Sequence, residues 1–216
     1  MRLRNIPYAY QKLTEFPDVV IQNPIDFKGL WAEKIFGNKN GIHVEIGAGR
    51  GKFIINSAMQ NPGLNFIGIE KFDSVLVRAL KKNVDKKLTN LRFIKIDAQK
   101  INDCFAKNEI EKIYLNFSDP WSKTVYEKRR LTSRIFLEKY KKILAGNGIL
   151  QFKTDNVGLF EFSVKEFNNF GLRIDEIRLD LHNSEPSWNI RSEYEEKFAE
   201  SEKKIFFIIV NFGGKK

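Results

Sequence analysis

The 216-residue sequence has one cysteine, Cys104, and two histidines, His43 and His182. A single thiol excludes an internal disulfide framework and a cysteine-built zinc site, and two imidazoles are too few for a histidine-rich centre, so no metal is expected. No run of about 18 apolar residues occurs, so no membrane-spanning helix is expected. Residues 1–10 carry Arg2 and Arg4 but no apolar stretch, unlike a secretory signal. A reduced, cytoplasmic setting is the expectation. Internal repeats and low-complexity tracts are also missing.

What is there is a globular composition, 42% hydrophobic and 13% aromatic, with an excess of positive charge. Lys and Arg number 37 against 27 acids, a net charge of +10. The first 156 residues hold +12 and the last 60 hold −2. The densest stretch, 123–142, contains Lys123, Lys128, Arg129, Arg130, Arg134, Lys139, Lys141 and Lys142. Such a run on a helix commonly forms a solvated face. With this overall charge a polyanion is the rival explanation.

Along the chain, apolar strands alternate with helical patterns. Asn23, followed by Pro24, is placed to cap a helix with Phe27, Leu30, Trp31 and Ile35 on one face. Strands are expected over 42–46, 64–69, 91–96, 112–117, 148–153, 172–181 and 204–212. Helices are expected over 51–60, from 72 to the early eighties, over 130–144 and from Asn156 to Phe170, with one short helix between the last two strands. This predicts an α/β fold with a mostly parallel seven-stranded sheet and an antiparallel last strand. Ligands of such folds bind beyond the carboxyl ends of the strands, so chemistry is sought there.

After the first of these strands comes Glu45-Ile46-Gly47-Ala48-Gly49-Arg50-Gly51. Gly47 and Gly49 let the backbone approach a ligand, although many glycine turns are only tight connections. A dinucleotide fingerprint would have its third glycine at position 52, where Lys52 stands, which disfavours a nicotinamide oxidoreductase. Glu70 ends the second strand, placed to accept from a ribose diol, or else to cap the next helix. Asp97-Ala98 ends the third, placed for an adenine amino group. Asn116-Phe117-Ser118-Asp119-Pro120-Trp121 ends the fourth, a rigid polar platform with a stacking surface.

These strings, with Glu127-Lys128-Arg129-Arg130-Leu131, Phe152-Lys153-Thr154-Asp155-Asn156, Asp180-Leu181-His182-Asn183-Ser184 and Ser192-Glu193-Tyr194-Glu195-Glu196-Lys197-Phe198, make the chain resemble the bacterial tRNA (guanine-N(7)-)-methyltransferases. The resemblance extends from Met1-Arg2 over nearly the whole chain. It implies a Rossmann-like fold using S-adenosylmethionine, and tRNA as partner, with a variable-loop guanine as the target. It implies cofactor binding by Glu45, Glu70, Asp97 and Asp119 and a catalytic role for Asp119. It implies substrate binding by Lys123, Asp155, Ser192, Glu193, Tyr194 and Glu195, and RNA contact by a loop at about 121–130 through Lys128, Arg129 and Arg130. The chain departs from the family at Val125-Tyr126, where a basic residue and histidine are frequent. The loop's RNA contact is then weaker, or Tyr126 stacks on a base. Residues 1–40 read as an extension with one helix packed on the core. Residues 41–216 read as the methyltransferase domain, with a substrate-binding insertion at about 182–203.

Plainer readings stand beside these. Ser192-x-x-Glu195 is a capping box, and Asp155 follows a strand where it helps start a helix. His182 and His43 read as structural residues and Cys104 as a small buried one. A methyltransferase acting on another base or a small molecule, and a non-catalytic RNA-binding module, are the alternatives. The module accounts for the charge but not for acids at three strand ends. No protein partner is indicated, and monomer and homodimer both remain open.

Overall fold

The computed structural model describes residues 6–84, 86–199 and 203–214. Met1 and Arg2, and residues 200–202 of the expected insertion, lie outside them. The chain forms two compact units, Met1–Ala106 and Lys107–Lys216.

The first unit contains α1 (Ala9–Thr14), β1 (Val20–Ile21), β2 (Ile42–Ile46), α2 (Lys52–Gln60), β3 (Asn65–Glu70), α3 (Asp73–Val84), β4 (Leu91–Lys95) and α4 (Ile101–Cys104). Its strands lie in the order β1-β4-β3-β2, each pair parallel. The register pairs Ile46 with Ile69 and Glu70 with Lys95, so the strand ends carrying the glycine turn and Glu70 are aligned. All six β3 residues are buried, as expected of a strand covered on both faces.

β1 lies in the segment expected as an extension and adds one strand to the seven read from the sequence. The helix expected there does not form as one piece. Pro24–Phe27 is a 3-10 turn and Trp31–Ile35 a single π turn. Gly29, at φ +80°, separates them, a left-handed conformation that no helix continues through. Asn23 makes no side-chain cap, and Leu30 is exposed. Trp31 is fully buried instead, its Nε1 donating to the Cys104 carbonyl at 2.8 Å and its ring 5.5 Å from Phe105. Burying one indole on α4 outweighs helical regularity here. Cys104 is buried as well, which pushes its thiol up to about 11.

The second unit contains β5 (Ile110–Asn116), α5 (Arg134–Ile143), β6 (Leu144–Thr154), α6 (Val157–Phe170), β7 (Arg173–Arg178), α7 (Glu193–Ala199) and β8 (Phe206–Asn211). The order is β5-β6-β8-β7; β5 and β6 are parallel, and β8 is antiparallel to both neighbours. Asn156 caps α6 by accepting from the Leu159 amide at 2.8 Å, and Gly171 closes it at φ +79°. α5 begins at Arg134 rather than at Arg130, because residues 124–129 form a 3-10 turn and Arg130 is extended. Among the described residues no helix is long and apolar enough to cross a membrane.

Candidate active site

In the first unit the turn after β2 is docked on the end of β3: the amides of Gly47 and Ala48 both donate to the Ile69 carbonyl at 2.9 Å. Gly47 (φ +81°) and Gly49 (φ +57°) are left-handed, and a side chain at Gly47 would meet nothing within 4 Å, so open space lies against this backbone. Gly49 donates its amide to Glu70 Oε2 at 3.1 Å. Glu70 Oε1 accepts from the amides of Lys71 (2.7 Å) and Phe72 (3.0 Å). The carboxylate is thus oriented by three N–H groups; none of them belongs to α3, which starts at Asp73, so Glu70 does not cap that helix. Asp97 ends the β4 connection and accepts from the Gln99 amide at 2.9 Å; Lys71 Nζ lies 2.6 Å from it. The bond from Lys71, then that from Gln99, holds its carboxyl below the usual range. Ala98 opens the following 3-10 turn. Glu45 is buried on β2.

In the second unit the loop after β5 is strained at two points. Phe117 (φ +53°) and Trp121 (φ +43°) are left-handed without being glycine, conformations held only by their surroundings. The Phe117 amide donates to the Lys153 carbonyl at 2.9 Å. Its ring packs against Tyr194 (6.3 Å) and Phe198 (5.7 Å) of α7. Asp119 is exposed on the turn between these residues. Arg130 holds the turn from below: Nε donates to the Pro120 carbonyl at 2.9 Å and Nη2 to that of Trp121 at 3.2 Å, with Phe162 under the guanidinium. Arg130 is therefore a buried clamp, unlike the RNA contact expected from the sequence. Lys128 and Arg129 are exposed. The Arg129 guanidinium lies over both Trp121 (5.0 Å) and Tyr126 (4.7 Å), so Tyr126 is engaged with a cation and with the Trp121 edge. Lys123 precedes the 3-10 turn and is exposed.

The segment between β7 and β8 centres on Glu195. The capping box forms, the Glu195 amide donating to Ser192 Oγ at 3.1 Å and Ser192 N to Glu195 Oε2 at 3.4 Å. The same carboxylate, 0% exposed, takes Lys153 Nζ of β6 at 3.0 Å, Asn189 Nδ2 at 2.7 Å and His182 Nε2 at 3.2 Å. Lys153, also 0% exposed, donates further to the Asn189 amide oxygen and the Ile190 carbonyl. His182, Glu185 and Glu195 bring ligand atoms within 4.8 Å of one another. Lys153 already faces Glu195, and Arg191 grips Glu185, whose carboxyl it pulls down to about 2. This charge is balanced within the chain. Tyr194 is exposed and Glu193 half-buried. Asp155 pairs loosely with Lys203 at 3.8 Å.

A family profile described as "Putative methyltransferase" matches residues 39–208. The tRNA (guanine-N(7)-)-methyltransferase of Bacillus velezensis is 51% identical over 92% of this chain and 91% of its own length. That of a Geobacillus species is 50% identical over 95% and 93%. The chain belongs to the tRNA (guanine-N(7)-)-methyltransferase family. A SAM-dependent methyltransferase structure from Aquifex aeolicus covers 97% of this chain and 100% of its own at 15% identity, with a TM-score of 0.56. The fold is accordingly the Rossmann-like methyltransferase fold. Sequence reasoning did not single out Phe117, Arg130 or Lys153 as the supports of the family's motifs here. A lysine inside the apolar strand 148–153 was the one available signal.

Proposed function

We infer that the chain transfers a methyl group from S-adenosylmethionine to nitrogen-7 of guanine in tRNA. The observation carrying this reading is the 50–51% identity over at least 92% of the chain with enzymes of that name. The residues of the first unit suit the cofactor: open space against Gly47, with Glu70 and Asp97 at adjacent strand ends. When bound, S-adenosylmethionine supplies an electrophilic methyl on a cationic sulfonium. Glu70 would accept from the ribose hydroxyls, Asp97 and Ala98 would hold the adenine edge, and Glu45 would add negative charge toward the cation.

Guanine nitrogen-7 has an in-plane lone pair and no proton, so no general base is required. The ring becomes cationic as the bond forms. Asp119 accepts from the amino and imino edge of guanine and stabilises that charge. It is effective because the turn is fixed in advance by Arg130 and Phe117. Lys123, Asp155 and Ser192 to Tyr194 bind the nucleotide, and the family resemblance points to one in the variable loop. Lys128 and Arg129 bind phosphate. Glu195 and Arg130 act as positioning residues for these groups.

The test uses labelled S-adenosylmethionine and unmodified bulk tRNA, with the product mapped by borohydride–aniline cleavage at 7-methylguanine. Cleavage at one position is expected. A folded chain that gives none would overturn the reading.

A further inference from the structure

An open cleft of about 620 Å³ lies in the second unit, lined by Lys107, Arg134, Glu138, Lys141, Lys142 and Phe170. Four of the six are cations, and they come from two separate stretches of chain. Lys107 precedes β5, while Arg134, Lys141 and Lys142 share the outer face of α5. The opposite face of that helix buries Phe136, Leu137, Tyr140 and Ile143. Phe170, the last residue of α6, forms the apolar wall, with Arg134 and Lys141 each 5.8 Å from its ring centre.

Two carboxylates stand close by. Glu138 pairs with Arg134 Nε at 3.2 Å, and Glu166 accepts from the Arg134 amide at 2.8 Å. Lys107, Lys141 and Lys142 are exposed and remain in excess. Lys141 and Lys142 also suit the negative end of the α5 dipole. The dipole accounts for neither Lys107 nor a partly exposed phenylalanine between the charges.

Cations around an aromatic face are the chemistry that binds a nucleic-acid backbone together with an unstacked base. The cleft is remote from the methyl-transfer chemistry. Lys107 lies before the start of β5 and Asp119 after its end, so the strand's seven residues separate them by roughly 20 Å at about 3.3 Å per residue. We propose that this cleft is a second RNA-docking surface. It holds the phosphate backbone of the tRNA substrate away from the target guanine, with Phe170 as a stacking surface. The proposal rests on the tRNA reading above.

The experiment measures binding of full-length unmodified tRNA to the full chain across a salt series. The triple variant Lys107→Gln/Lys141→Gln/Lys142→Gln, with Arg134 left in its ion pair, is compared with the parent. Expected is a rise in Kd of at least about tenfold near 0.1 M salt and a fall in the log–log salt slope of about 2 to 3, close to one per lost phosphate contact. kcat at saturating tRNA stays unchanged. Phe170→Leu should weaken binding about fivefold or more with no change of slope. Circular dichroism and S-adenosylmethionine binding equal to the parent's verify folding. A triple variant with unchanged Kd and slope overturns the cleft, as does a parent that binds no tRNA. Cleft-dependent binding without methyl transfer would leave the cleft standing and remove the reaction. Methyl transfer without cleft dependence would do the reverse.

Discussion

Asp119 sits between two residues in left-handed backbone, Phe117 and Trp121, and each is held by a contact of its own. Its exposure means that its removal costs the fold little. Asp119→Asn keeps the shape and loses the charge. Turnover at saturating tRNA and cofactor should fall about 10²-fold or more, with the melting temperature unchanged, since a preorganised electrostatic contact is worth about 2.7–4 kcal/mol. Near-normal turnover would remove Asp119 from the chemistry. Lys112 on β5 illustrates the opposite case, a charge the fold tolerates at a cost. Burial, with Lys153 nearby, lowers its ammonium from about 10.5 to about 8, partly offset by Glu176. Below pH 8 both the folded and the unfolded chain hold the proton. Between about 8 and 10.5 only the unfolded chain keeps it, so stability rises with pH across that window. Lys112→Met should stabilise the protein by about 1–3 kcal/mol at pH 7 and abolish that rise in denaturant titrations.

At the scale of elements, the segment carrying Ser192 to Tyr194 is fastened to β6 by the Lys153–Glu195 pair, with both side chains fully buried. Breaking a buried pair on one side leaves an uncompensated charge. Lys153→Met should therefore cost about 3–5 kcal/mol in urea denaturation, and Lys153→Met/Glu195→Leu should recover much of it. With Glu195→Leu also measured alone, a double-variant loss equal to the sum of the two single losses would show the pair to be uncoupled. Arg130 separates from its neighbours in the same manner. Lys128→Ala/Arg129→Ala should weaken tRNA binding and flatten its salt slope without moving the melting temperature. Arg130→Ala should lower the melting temperature and turnover while leaving the slope unchanged.

The difference between what was legible and what was not follows from sequence distance. Asn156 and Gly171 bound α6 by local rules, and the Gly47–Gly49 turn and the acids at strand ends are local patterns too. Glu195 as a capping residue is readable from three positions away. Its bond to Lys153 spans 42 residues and depends on register between β6 and the insertion. Arg130 lay in a run of cations that reads as one helix. Only the extended residue at 130 turns its side chain under the loop. The helix expected after Asn23 failed for a tertiary reason, since one buried tryptophan and a left-handed glycine outweighed an amphipathic pattern.

For the whole molecule, the charge divides differently by structural unit than along the sequence. The first unit carries 17 basic against 10 acidic residues and the second 20 against 17. The second unit's basic residues are instead concentrated, on the loop at Lys128 and Arg129 and around the cleft at Phe170. Affinity for tRNA should accordingly fall steeply with salt, by about 10³-fold or more from 50 to 200 mM if some six phosphates are engaged, as read by filter binding. A flat profile would indicate recognition without the backbone.

Two strands that each end a unit's sheet limit how copies of the chain can meet there. β1 ends the first unit's sheet and is two residues long. β7 ends the second unit's and carries Arg173, Asp175, Glu176 and Arg178, with a bulge between Ile174 and Glu176. A stub and a bent, charged ribbon are poor templates for backbone pairing. Backbone pairing between copies of the chain is thereby discouraged at β1 and at β7.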